Sequence, residues 1–291
     1  MSAANRPDRP PWADFKAALE RAGFHPSRRL GQNFLLDDNM ARAIASDAGV
    51  TPGRFTLEVG PGCGFLSVHL AHAGAQLLCV EIDGRLAPIA REFLAPYPQA
   101  EVIEADVLES KSRLAPAVLE RLPRDGAWTL CANLPYSISG PFLATVAQLD
   151  HPPARVACLV QKEVAERLAS EPGDATWGPL SAAFQEAYEV KLGRFVPPQL
   201  FWPRPKVDSA VFLADLRPDL ALPEERARRM QFYRDLMQRR RKSLRRVLSD
   251  LVGGASAARG LEALDLDPLR RAETLSLPEL RALEREVRVD V

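Results

Sequence analysis

The stretch FTLEVGPGCGFLSVHLAHAG, residues 55–74, decides the fold. Its first five residues are apolar enough for a buried strand and stop at Gly60. Glycines at 60, 62 and 64 then form a tight turn, and GFLSVHLAHAG has helical spacing up to Gly74. The same strand, turn and helix pattern continues downstream. QLLCVEID (76–83) predicts a second strand, and RLAPIAREFLAP (85–96) a helix with Pro88 in its first turn. AEVIEAD (100–106) is a third strand, SRLAPAVLERL (112–122) a helix, WTLCANL (128–134) a fourth strand and GPFLATVAQL (140–149) a helix. RVACLVQ (155–161) is a fifth strand, running straight into the helix KEVAERLA (162–169). Alternation at this pitch means right-handed βαβ units and an α/β fold with a mostly parallel sheet covered on both faces.

On the N-terminal side, residues 1–11 are polar and proline-rich and are expected to be disordered. WADFKAALERA (12–22) reads as a short amphipathic helix. GFHPSRRLGQNFLLDDN (23–39) reads as a loop, with a helix starting near Asp38 or Asn39, either of which can cap it. On the C-terminal side, AAFQEAYEVKLGRFV (182–196) and SAVFLADLRP (209–218) read as strands of one antiparallel edge hairpin. RPDLALPEE (217–225) is a proline-bearing linker, and the chain beyond it is helical and basic. The chain therefore divides into an N-terminal extension with a short helix (1–27), an α/β domain (28–217) and a basic helical domain (218–291), without internal repeats.

With 291 residues, 46% of them apolar, the chain can build one large domain and a smaller one. Formal net charge is zero, but its distribution is uneven: residues 226–246 hold ten Lys or Arg against one acid, Asp235. Such asymmetry points to a polyanion-binding surface, with a solvated basic helix as the alternative. None of the four cysteines (Cys63, Cys79, Cys131, Cys158) has C-x-x-C spacing, and they read as core residues of a reducing compartment. The histidines are scattered and no metal cluster is expected. No run has signal-peptide or membrane-spanning character, so the expectation is a cytoplasmic protein.

The loop EVGPGCGF (58–65) is not a dinucleotide fingerprint, because its third glycine comes four residues after the first and position 65 is Phe. It is not a phosphate loop either, since no G-K-[ST] comes after it. In open α/β sheets the ligand sits beyond the C-terminal strand ends. There, Glu81 closes the second strand with a carboxylate suited to ribose hydroxyls, and Asp106 closes the third with an acceptor for an exocyclic amine. The fourth strand closes on NLPY. Asn133 offers a side-chain carbonyl, Leu134 a backbone carbonyl and Tyr136 a flat face. Two acceptors for an amine and a ring over a base describe a site for an unpaired purine or cytosine.

These residues are similar to the motif series of class I S-adenosylmethionine-dependent methyltransferases. More narrowly, the chain resembles the small-subunit rRNA adenine N6,N6-dimethyltransferase family of the kasugamycin-sensitivity type. The strings that carry the resemblance are LGQNFLLD (30–37), NLPYSISGPF (133–142), QKEVAERL (161–168), FWPRPKVDSAV (201–211) and RRRKSLRRVL (239–248). Trp177, Pro179 and Arg246 depart from that pattern. The resemblance implies a Rossmann-like fold with a small helical C-terminal domain, and S-adenosyl-L-methionine held by Asn33, Leu35, Gly60, Glu81, Asp106 and Asn133 under a GQNFL lid. It implies N6,N6-dimethylation of adenine in small-subunit rRNA on a pre-30S particle; a monomer that uses no metal and no membrane is expected. Asn133, Leu134 and Tyr136 then receive the adenine. Phe201 is the candidate for its opposite face, with an ordinary core aromatic as the alternative. Alternatives for the whole chain are a large-subunit rRNA adenine methyltransferase, or an assembly factor that keeps the fold without the activity.

Overall fold

The computed structural model describes residues 9–27, 29–124, 128–239 and 242–288. Of residues 1–11, expected to be disordered, 1–8 lie outside the described residues, as do Arg240 and Arg241 of the basic run; Arg9 is instead placed by Asp38, at 3.2 Å, and Pro11 precedes the first helix.

In chain order the elements of the α/β part are α1 (Trp12–Arg21), β1 (Phe34–Leu35), α2 (Asp38–Asp47), β2 (Phe55–Val59), α3 (Phe65–His72), β3 (Gln76–Glu81), α4 (Ala87–Leu94) and β4 (Ala100–Glu104). Next come β5 (Leu108–Ser110), β6 (Arg113–Leu114), α5 (Pro116–Leu119), β7 (Thr129–Asn133), α6 (Ser139–Val146), β8 (Arg155–Gln161) and α7 (Lys162–Leu168). After α8 (Pro179–Gln185) come β9 (Tyr188–Val196), β10 (Phe201–Trp202) and β11 (Ser209–Leu216). Seven strands form one sheet in the order β4-β3-β2-β7-β8-β11-β9. The pairs from β4 through β8 are parallel, and β11 runs antiparallel to β8. Strand order reverses between β2 and β7, so the tips of β2, β3, β4 and β7 flank a topological switch point, where such sheets bind ligands. The central strands are apolar throughout because both faces are covered: Val156 to Val160 of β8 are fully buried. All four cysteines are free and buried.

Three local expectations change. The helix expected over 112–122 is reduced to Pro116–Leu119, because the residue before a proline is pushed out of the helical region and Ala115 is extended (ψ 141°). Arg113–Leu114 pairs with Leu108–Ser110 instead. The strand expected from residue 182 starts only at Tyr188. Pro179 occupies the first turn of α8, and the Ser181 hydroxyl accepts the Gly178 N–H at 3.3 Å. The cap of α2 is Asp37, whose Oδ1 accepts Met40 N–H at 2.7 Å, rather than Asp38 or Asn39.

The chain separates into two compact units. One comprises residues 1–146, 151–165 and 190–216; the other 147–150, 166–189 and 217–291. The second unit thus takes in segments that the sequence assigns to the α/β domain. Trp177 and Ala182 share its core with Tyr233, Leu236, Leu244, Leu248 and Leu280. Its remaining helices are α9 (Pro223–Met237), α10 (Leu244–Val252), α11 (Gly254–Ala263) and α12 (Leu277–Arg288). On α9, Arg226, Arg229, Tyr233 and Leu236 form a buried stripe at helical spacing. The basic run is therefore not one solvated surface. Arg226 donates to the Leu149 carbonyl, Arg229 to Glu186, and Arg228 to Glu284 at 2.7 Å. Arg239, Lys242 and Arg246 gather around Asp250. Arg234, Arg239, Lys242, Arg245 and Arg246 remain on the surface.

Candidate functional site at the strand tips

The glycine loop is shaped by what passes next to it. Gly60 and Gly62 have φ +67° and +61°, a region that L side chains rarely adopt. A Cβ at Gly60 would lie 3.0 Å from the Pro135 ring, and one at Gly62 only 2.7 Å from Phe34 Cε1. The loop after β2 is therefore in contact with both NLPY and GQNFL. Gly62→Ala must shift Phe34 and strain the turn, which costs roughly 1–2 kcal/mol for the left-handed backbone alone. We expect a lower melting temperature and at least tenfold weaker nucleoside-cofactor binding by calorimetry; unchanged affinity would show that Phe34 does not shape the site.

Glu81, at the end of β3, is 4% exposed. Its Oε2 accepts Gly62 N–H and its Oε1 accepts Asp83 N–H, each at 2.9 Å. Burial pushes its carboxyl up to about 7, against the lowering effect of those two N–H groups. Glu58, inside β2, is raised to about 7 as well, again by burial first. Asp83 goes the other way: Arg85 and then Gln32 hold it at about 2. Asp106 stands exposed beyond β4 and takes Leu108 N–H at 2.9 Å.

The segment 31–35 is pinned from several sides. Gln32 Nε2 donates to Asp83 Oδ2 at 2.9 Å, and Gln32 Oε1 accepts Ser27 N–H at 2.7 Å. Asn133 Nδ2 donates to the Asn33 carbonyl at 2.9 Å. With its nitrogen committed there, the Asn133 amide keeps its oxygen as an acceptor at the strand tip. Tyr136 is fixed through its hydroxyl, 2.6 Å from Ser209 Oγ, and burial raises the phenol. The two-residue strands β1 and β10 pair antiparallel, Phe34 with Trp202 and Leu35 with Phe201.

Asn33, Leu35, Gly60, Glu81, Asp106, Asn133, Leu134 and Tyr136 all line one cavity at the strand tips. Phe201 does not. Alternation along β10 turns it inward, 3% exposed, into the core with Leu35 and Val211. In this structure it takes the alternative reading of a core aromatic, and the residue turned outward is Trp202. Glu58 also lines the cavity, and Gln32 and Asp83 brace its wall. The sequence alone assigns Glu58 and Asp83 no role, and Gln32 only a place in the GQNFL lid. Their signals are a carboxylate inside an apolar strand and a polar pair flanking strand ends.

The donor set suits a nucleoside cofactor: a glycine turn open to close approach, a carboxylate at each of two neighbouring strand tips, and an amide oxygen across the switch point. Among the described residues no group of three or more His, Cys, Asp or Glu is placed to hold a metal ion, and no helix is long and apolar enough to cross a membrane.

Comparison with known proteins agrees with this geometry. The profile of a family described as ribosomal RNA adenine dimethylase matches residues 23–279. A ribosomal RNA small subunit methyltransferase A of Geobacter metallireducens is 38% identical over 274 residues, covering 90% of this chain and 96% of that protein. Its namesake in Geobacillus kaustophilus is 35% identical over 274 residues, covering 92% and 93%. Among solved structures, a dimethyladenosine transferase from Plasmodium falciparum matches with a TM-score of 0.71 at 20% identity, over 86% of this chain and 95% of that one. The 23S rRNA methyltransferase ErmE matches with a TM-score of 0.66 at 23% identity, over 87% and 99%. At these identities the two structures speak for the fold alone.

Proposed function

The chain belongs to the ribosomal RNA adenine dimethylase family, and on that premise we propose that it transfers methyl groups from S-adenosyl-L-methionine to the N6 amine of adenine in small-subunit rRNA, giving N6,N6-dimethyladenosine. The curated relatives carry small-subunit names, which favours that subunit over the large one. A catalytically silent assembly factor is disfavoured by the retention of every strand-tip group. We further assign the pre-30S particle as substrate, a monomer as the acting species and the cytoplasm as its place.

The observation that carries the reading is the Asn133 amide, fixed by its nitrogen on the Asn33 carbonyl with its oxygen left for a ligand amine. Gly60, Glu81, Asp106, Asn33 and Leu35 hold the cofactor, which when bound supplies an electrophilic methyl group. The chain's task is then to make a poor nucleophile attack. An adenine amine delocalises its lone pair into the ring. Accepting its two N–H groups on Asn133 Oδ1 and the Leu134 carbonyl favours a pyramidal nitrogen and stabilises the positive charge that develops there. Tyr136, anchored by Ser209, provides the stacking face for the extruded base, worth roughly 1–3 kcal/mol. Fixed orientation supplies much of the remaining acceleration. No strong base is required, because the alkylated ammonium is acidic enough to lose its proton to water.

Glu81 gives the site a pH dependence. A carboxyl at about 7 is ionised, and able to accept from both ribose hydroxyls, only above that pH. Cofactor affinity is expected to fall about tenfold from pH 8 to pH 6, one unit below the midpoint, and to lose most of this dependence in Glu81→Gln, with Glu58 at about 7 in the same cavity left to supply the rest. Calorimetry at the two pH values checks it; equal affinities would remove Glu81 from cofactor recognition.

The function itself is tested by incubating the protein with unmethylated small subunits and tritiated cofactor and digesting the RNA to nucleosides. Labelled N6,N6-dimethyladenosine is expected. Label only in the large subunit, or none, would sink the proposal.

A further inference from the structure

Residues 203–208 leave the site and return to it. At one end, Trp202 lies in register with Phe34, next to the Asn33 whose carbonyl holds the Asn133 amide. At the other end, Ser209 Oγ meets the Tyr136 hydroxyl at 2.6 Å. The side chains that this segment turns to solvent therefore stand beside the groups that receive the adenine. They are Arg204, Lys206, Val207 and Asp208, with Trp202 just before them 37% exposed. Neither cation is ion-paired among the described residues.

The indole is held as a platform. One face stacks on Phe34, with ring centroids 5.8 Å apart and planes at 26°. Phe34 is in turn fixed by an edge contact with Phe24 at 5.8 Å and by its seat against Gly62. A base landing on the exposed side meets a ring already stacked on Phe34, so less of it remains to be ordered. Two cations come next at alternate positions, the combination by which proteins grip single-stranded nucleic acid: an aromatic face for a base and positive charge for its phosphates.

We infer that Trp202, Arg204 and Lys206 form a subsite for the nucleotide flanking the target adenosine, its base on the indole and its phosphate on the cations. The inference rests on the reading of an extruded RNA adenine. Drawing that adenine into the cavity strips its neighbour of a stacking partner, and the indole replaces it, offsetting part of the cost of extrusion. Phe201 faces the core, and its neighbour Trp202 faces the RNA.

The test reads binding as well as turnover. Affinity for unmethylated small subunits is measured by filter retention and cofactor affinity by calorimetry, for wild type, Trp202→Ala and Trp202→Phe. Trp202→Ala is expected to weaken particle binding about tenfold or more and cofactor affinity by much less, and Trp202→Phe to restore most of the loss. Particles reconstituted with an abasic nucleotide on the 5′ or the 3′ side of the target should show the same loss with wild type on one of the two, and no further loss with Trp202→Ala. The inference is overturned if Trp202→Ala weakens cofactor binding and not particle binding, since the indole then only props Phe34. It is equally overturned if neither abasic particle binds wild type more weakly, or if the two losses add. Absence of dimethyladenosine with wild type is a separate readout, and it overturns the enzymatic reading on which the subsite rests.

Discussion

Asn133→Ala is expected to lower the methyl-transfer rate at saturating cofactor and RNA by about 10²–10³-fold, the loss seen when one preorganised polar group facing developing charge is removed. The substitution deletes the amide oxygen that accepts an adenine N–H. It also deletes the Nδ2 donor on the Asn33 carbonyl, so the GQNFL segment loses one of its ties. The others remain, through Gln32 to Asp83 and Ser27, and through the β1–β10 pair. Cofactor binding should therefore weaken by less than the rate falls, and calorimetry beside single-turnover kinetics separates the two. Asn133→Asp restores an acceptor but sets a carboxylate against the Asn33 carbonyl, so it should recover little activity. Near-normal methylation by Asn133→Ala would disprove the role assigned to the amide.

The largest effect on stability is expected in the helical unit, at Glu186. This side chain is 1% exposed and accepts from three others: Arg229 Nη1 at 3.1 Å on Oε2, Arg281 Nε at 3.1 Å on both oxygens, and the Tyr233 hydroxyl on Oε1. Tyr233 is fully buried and Arg229 nearly so, and burial pushes the Tyr233 phenol well up. Removing Glu186 leaves Arg229 with Glu225 alone and Arg281 with Asp219 at 3.8 Å, and breaking a buried ion pair costs about 3–5 kcal/mol. Glu186→Ala should lower the melting temperature by about 10 °C, at roughly 2–4 °C per kcal/mol for domains of this size. Glu186→Gln keeps the volume and two acceptor lone pairs and should cost less. A Glu186→Ala protein that melts within a degree of wild type would show that Glu225 and Asp219 suffice for Arg229 and Arg281.

The charge run shows why some features can be read from the sequence and others cannot. Ten cations in residues 226–246 predict a basic surface, and five described ones do remain on the surface. But a guanidinium counts as solvated in any reading by composition. Arg226 and Arg229 fall on the same helical stripe as Tyr233 and Leu236, and they are buried because acceptors from distant segments wait there: the Leu149 carbonyl and the Glu186 carboxylate. Glu225, one turn before Arg229, is a local acceptor as well, but nothing local to residues 226–229 encodes the two distant ones. The helix over 179–185 escapes a sequence reading for a different reason. Its apolar run SAAFQ suits a strand as well as a buried helix, and only the Gly-Pro start separates the two.

The α/β alternation, the strand ends and the residues at them are legible in the amino-acid order. Those properties depend on local periodicity, on glycine and proline stereochemistry, and on polar groups appearing where apolar strands stop. The family is legible there too, through motifs in their order along the chain. The direction in which each of those groups faces comes from the folded chain. Asn133 shows its oxygen because a carbonyl 100 residues earlier takes its nitrogen. Trp202 rather than Phe201 reaches solvent because a two-residue strand pairs with Phe34 and Leu35 and fixes which face is inward. Glu81 sits near neutrality because the fold buries it. Each of these depends on partners brought together from far apart in the chain, and local sequence cannot specify them.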